Sequence, residues 1–148
     1  GTQRLDLIKS SMEIGSLLLD GIGDTSRVSL TAPPVKEVYA GFDILKAIGM
    51  KNDTPSLVSC PTCGRTKIDL ISLANEVEER LRDVKKSITV AVMGCVVNGP
   101  GEAREADIGI ACGVNNAVMF KKGVKIKTYT GDFISEFIED IKICAEEL

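Results

Sequence analysis

Ile88-Thr89-Val90-Ala91-Val92-Met93 runs directly into Gly94-Cys95-Val96-Val97-Asn98-Gly99-Pro100-Gly101-Glu102. The first six residues are apolar almost throughout, the mark of a strand buried on both faces. That strand delivers Cys95 at its end. The turn Asn98-Gly99-Pro100-Gly101 is sharp enough to swing Glu102 back toward the cysteine. Upstream, Ser56 to Ser59 reads as a shorter strand leading into Cys60-Pro61-Thr62-Cys63-Gly64. A Cys-x-x-Cys pair puts two thiolates within reach of one metal centre, and folding must bring Cys95 to them. Three soft sulfurs and one hard carboxylate are an uneven ligand set. An iron–sulfur cluster held this way has one iron unlike the other three.

Working outward, Asp69 to Lys86 is an amphipathic helix with Leu70, Leu73, Ala74, Val77, Leu81 and Val84 on its apolar stripe. Asp107 to Ala111 is a further strand. Val118–Phe120 and Val124–Ile126 flank Lys121-Lys122-Gly123, a hairpin turn. Asp132 to Glu147 closes the chain as a helix, with Asp132 as its expected N-cap. The order β-α-β-β-β-α over residues 56–148 predicts a two-layer α+β domain. Residues 1–50 read differently. Leu5–Asp20 is helical, Thr25–Leu30 alternates as a strand, and Val35–Ile48 is a second helix ending near Gly49. Val28 and Leu30 share one face of that strand, Arg27 and Ser29 the other. Helix–strand–helix is a slice of an α/β repeat. It cannot bury both faces of a sheet alone, so more barrel or sheet is expected before residue 1. The polar run Lys51-Asn52-Asp53-Thr54-Pro55 reads as a linker between the two regions.

Composition narrows the chemistry. The chain has no histidine, which removes Ser-His triads, histidine acid–base work and mixed Cys/His zinc patterns. Its five cysteines are an odd number, so complete internal disulfide pairing is excluded. A net charge of −3 with only 4% aromatic residues argues against a nucleic-acid surface. No apolar run approaches the roughly 20 residues of a membrane span. Gly1-Thr2-Gln3-Arg4 has no signal-peptide pattern, so a cytoplasmic protein is expected. Taken alone, the Cys60/Cys63 pair suits a zinc knuckle about equally well. A structural zinc site wants a second pair, which the chain lacks. A redox disulfide would leave Cys95 and Glu102 without a role. Cys112 and Cys144 lie in apolar-patterned elements and read as buried structural thiols. Gly21-Ile22-Gly23-Asp24-Thr25 resembles a phosphate-cradling loop only weakly; a plain helix-to-strand turn accounts for it.

Three segments together carry a resemblance. They are Gly94 to Glu102, Ser59-Cys60-Pro61-Thr62-Cys63-Gly64-Arg65, and Gly21-Ile22-Gly23-Asp24-Thr25-Ser26-Arg27-Val28-Ser29-Leu30. The chain resembles the C-terminal part of the hydroxymethylbutenyl diphosphate synthase family, over nearly its whole length. The resemblance implies the last α/β part of a TIM-like barrel at residues 1–50, a linker at 51–55, and at 56–148 an iron–sulfur domain related to sulfite and nitrite reductase modules. It implies a 4Fe-4S cluster on Cys60, Cys63 and Cys95, with Glu102 as an unusual carboxylate fourth ligand central to catalysis. It places Asn98 near the substrate, and Arg27 and Ser29 at its diphosphate. The implied reaction is reductive opening of 2-C-methyl-D-erythritol 2,4-cyclodiphosphate, with flavodoxin or ferredoxin as electron donor and a homodimer as the working form. Most substrate ligands would lie in barrel outside this chain, which alone is then expected to be inactive. A zinc-stabilised binding module and an electron-transfer module without its own substrate are the alternative readings.

Overall fold

The computed structural model describes residues 1–97, 101 and 103–148. The chain divides into two compact units, Gly1–Asn52 and Asp53–Leu148.

In the first unit, helix α1 spans Gln3–Leu19 and helix α2 spans Val35–Ala47. Both end in the same way. The N–H groups of Gly21 and Ile22 bond back to Leu18 and Leu17, and those of Gly49 and Met50 to Lys46 and Leu45, with both glycines in the left-handed region. These paired bonds satisfy carbonyls that each last helical turn leaves open. Gly21 is therefore a helix stop, as the plainer reading of that loop expects. The expected strand at Thr25–Leu30 does not form. Its alternation is nevertheless expressed: Val28 is buried with Ala40 and Ile44, and Leu30 packs against them, while Arg27 and Ser29 are exposed. Packing on two helices supplies the one-sided burial. A ladder also needs a neighbouring backbone, and among the described residues none pairs with this segment. The Leu30 N–H instead donates to Glu37 Oε1 at 2.9 Å.

The second unit is built on one five-stranded sheet. Its strands are β1 Ser56–Ser59, β2 Thr89–Met93, β3 Ile108–Cys112, β4 Asn116–Lys121 and β5 Val124–Thr130, ordered in space as in the chain. Strands β1, β2 and β3 are parallel, and β4 and β5 are antiparallel additions. Helix α3, Leu70–Arg80, makes the crossover from β1 to β2, and helix α4, Ile134–Glu146, closes the chain. Both helices cover one face. Leu73, Val77, Phe137 and Ile141 meet Val90, Val92, Ile108 and Ile110 there, giving two layers around one main core. On the opposite face Ala91, Met93, Ala111 and Phe120 pack with Ala106, beside a 3-10 turn at Ala103–Glu105. The 3-10 turn that precedes β3 thus lies against the sheet.

Several boundaries differ from the sequence reading. Helix α3 stops at Arg80, not Lys86. Leu81 and Val84 still pack inward, but the chain tightens there, with the Arg82 N–H bonded to Glu79 and that of Val84 to Leu81. These are three-residue bonds that end a helix. Asp69 caps α3, accepting from the Ser72 N–H at 3.1 Å. Asp132 is not the N-cap of α4; Phe133 holds that position, and Asp132 Oδ1 accepts from the Ile134 N–H at 3.4 Å.

Candidate metal centre

Register places the two cysteine blocks side by side. Parallel pairing aligns Ser59 with Val92, so β1 and β2 end together at the same edge of the sheet. Cys60 follows one strand and Gly94-Cys95 the other. The Gly94 N–H donates to Cys60 Sγ at 3.3 Å, a direct bond between the blocks. A second bond runs from the Lys67 N–H to the Gly94 carbonyl at 3.3 Å. Cys60 is half-buried, Cys63 exposed and Cys95 buried.

The Cys60–Cys63 loop turns its backbone toward sulfur. The Arg65 backbone N–H holds the Cys63 thiol below its ordinary range. Burial opposes this slightly, while the Thr66 hydroxyl and the Arg65 side chain add to it. A lowered thiol favours the thiolate, the form that binds metals. Thr66 Oγ1 accepts from the Cys63 N–H at 3.1 Å and lies 4.0 Å from Cys63 Sγ. Sequence reading passed over Thr66. The signal was present, because a threonine three residues from a turn residue is placed to bond that residue's backbone.

The other two cysteines behave as expected of buried structural thiols. Cys112 ends β3 within the main core, and burial, with a smaller contribution from Cys60, pushes its thiol up to about 12. Cys144 lies in α4 with its thiol raised, again mainly by burial. Arg27 and Ser29 are both exposed in the segment between α1 and α2. Asn98 and Glu102 lie outside the described residues.

The chemistry of this donor set suits a thiolate-held group. Cys60 and Cys95 follow the ends of adjacent strands, Cys63 lies in the loop after Cys60, and N–H groups point at the sulfurs of Cys60 and Cys63. Among the described residues no three cysteine or carboxylate side chains gather closely enough to hold a single metal ion.

Residues 56–143 match the model of the GcpE protein C-terminal domain, which spans more than half the chain. The chain belongs to the GcpE family. Residues 1–42 match the GcpE TIM-barrel domain. Among curated relatives, a protein of Clostridium acetobutylicum is 63% identical over 127 residues, 86% of this chain and 36% of its own. One from Dehalococcoides mccartyi is 54% identical over 132 residues, 89% of this chain and 38% of its own. One from Maridesulfovibrio salexigens is 52% identical over 149 residues, 99% of this chain and 42% of its own. All three are named 4-hydroxy-3-methylbut-2-en-1-yl diphosphate synthase (flavodoxin). The chain spans about two fifths of the length of these relatives.

Proposed function

We propose that this chain is the cluster-bearing C-terminal part of a 4-hydroxy-3-methylbut-2-enyl diphosphate synthase, acting in isoprenoid biosynthesis. The observation that carries the reading is the bond from the Gly94 N–H to Cys60 Sγ, which joins the two cysteine blocks at one end of adjacent parallel strands. Cys60, Cys63 and Cys95 would hold a 4Fe-4S cluster, with Glu102 as the fourth ligand. When bound, the cluster supplies single electrons and a Lewis-acidic iron. The substrate, by this reading, is 2-C-methyl-D-erythritol 2,4-cyclodiphosphate; opening its ring takes two electrons and releases water.

The chain's own residues have distinct parts in this scheme. The three thiolates anchor the group, and N–H donors around Cys60 and Cys63 offset their charge. Glu102 would hold the remaining iron as a harder, more exchangeable ligand than a thiolate. Asn98 would orient substrate beside it. Arg27 would offer a planar pair of donors to the diphosphate, with Ser29 adding a hydroxyl. Residues 1–50 are read as the end of a barrel, 51–55 as a linker and 56–148 as the cluster domain, a relative of sulfite reductase modules. The relatives' names support flavodoxin as donor. We assign a cytoplasmic homodimer as the working form; no helix among the described residues is long and apolar enough to cross a membrane.

Iron and acid-labile sulfide analysis of anaerobically purified protein tests the reading. A brown protein with iron and sulfide in equal amounts supports it. A colourless protein holding zinc favours the zinc-stabilised module. Within the full-length protein, Glu102→Ala should keep most of the iron but lose turnover. Near-normal turnover in that variant would favour a plain electron-transfer module.

A further inference from the structure

Gly94 sits where the two cysteine blocks touch. Its N–H reaches Cys60 Sγ and its carbonyl receives the Lys67 N–H. A methyl group on its Cα would stand 2.9 Å from Thr66 Cγ2, 3.1 Å from Leu70 Cδ2 and 3.3 Å from Thr66 Oγ1. Thr66 is β-branched and has little freedom to turn away. It is also tied to the other block: its Oγ1 accepts from the Cys63 N–H, its own N–H bonds the Cys63 carbonyl at 3.0 Å, and the hydroxyl faces Cys63 Sγ. One glycine and one threonine therefore lie side by side between the two sulfurs, Gly94 bonded to Cys60 Sγ at 3.3 Å and the Thr66 hydroxyl 4.0 Å from Cys63 Sγ.

We infer that Gly94 and Thr66 form a clasp that positions Cys60 and Cys63, and that the Thr66 hydroxyl tunes the reduction potential of the group these cysteines hold. The tuning half rests on the function proposed above; the clasp half does not. The physical basis is simple. Reduction adds negative charge to the sulfurs, so a donor facing a sulfur favours the reduced state. The hydroxyl cannot give its proton to sulfur unless the clasp holds it there. Thr66 is thus a positioning residue with an electronic consequence.

Two measurements test the two halves. The first uses metal-free protein and follows amide hydrogen exchange at Cys63, Thr66 and Lys67. Thr66→Val and Gly94→Ala should each speed exchange at Cys63 by about tenfold, the equivalent of one lost hydrogen bond. Thr66→Ser should stay near wild type. Adding Thr66→Ser to Gly94→Ala should recover part of the loss, because it removes the methyl in closest conflict. Unchanged exchange in Thr66→Val and Gly94→Ala overturns the clasp, whatever the protein binds. The second uses the cluster-loaded full-length protein. At a fixed potential, Thr66→Val should lower the ratio of reduced to oxidised cluster about three- to tenfold at full iron content, and Thr66→Ser should restore it. An unchanged ratio in a fully loaded Thr66→Val overturns the tuning. A wild-type protein that takes up no iron or sulfide overturns the functional reading, and the tuning with it, while the exchange data still judge the clasp.

Discussion

Cys63 and Cys112 carry the same thiol under opposite conditions. Cys63 is exposed, with the Arg65 N–H directed at its sulfur; Cys112 is sealed in the core. In metal-free native protein at neutral pH, iodoacetamide should modify Cys63 well before Cys112, read by peptide mass spectrometry. Equal rates would show that the core around β3 opens freely. Cys112 also sets an alkaline limit. Its thiol is raised from 9.0 to about 12, so the unfolded chain ionises it first. Stability linked to it is complete below pH 9 and is lost as pH climbs toward 12. Tyr129 and Cys144, also raised, act in the same direction. Denaturation midpoints should fall less steeply above pH 9 in Cys112→Ala than in wild type, and identical slopes would dismiss Cys112 as the cause. The cysteine blocks were readable because each is a short local pattern. The bond from the Gly94 N–H to Cys60 was not, because it arises from strand register, and no run of neighbouring residues encodes that.

The hairpin between β4 and β5 shows what local chemistry does encode. Lys122 and Gly123 form its two-residue turn with φ of 47° and 78°, so both central residues are left-handed. That is the turn whose twist matches paired strands. A Cβ on Gly123 would also meet Arg104 Cγ at 3.0 Å. Gly123→Ala should therefore destabilise by about 1–2 kcal/mol, and Lys122→Gly should stabilise by about 0.5 kcal/mol, both measured by urea unfolding. Helix α4 is fastened to this hairpin. The Tyr129 hydroxyl, buried, donates to Asp140 at 2.6 Å, and Lys127 pairs with Asp140 and Glu136. Tyr129→Phe should cost about 1–2 kcal/mol in the same assay; no loss would mean that the ring packing against Phe133 and Phe137 suffices. The elements of the second unit were legible from periodicity and turn residues. The strand expected at Thr25–Leu30 was not realised, since alternation reports which side is buried and cannot report whether a partner backbone lies alongside. The early end of α3 escaped for a related reason: the apolar stripe continues through Leu81 and Val84 after the helical bonds have stopped.

At the scale of the whole molecule the two units have unequal cores. The second unit buries a continuous set of residues from both helices and the sheet, whereas the first buries little beyond Val28, Ala40 and Ile44. Large apolar side chains such as Met12, Tyr39 and Phe42 remain exposed in the first. A piece comprising residues 53–148 should unfold cooperatively on heating, and residues 1–52 alone should melt without a sharp transition, as seen by circular dichroism. A sharp transition in the shorter piece would mean that two helices and an extended segment suffice. The strand order supplies one more consequence. Because spatial order equals chain order, each strand emerging from a ribosome finds its neighbour already made. For Cys60 and Cys63 this means a waiting period. They leave the ribosome before β2 exists, and their clasp cannot close until Gly94 arrives. During synthesis both thiols are therefore open to oxidants and stray metals; Cys63 stays exposed afterwards, so it is at Cys60, half-buried once β2 is in place, that such damage should be acquired mainly by the growing chain.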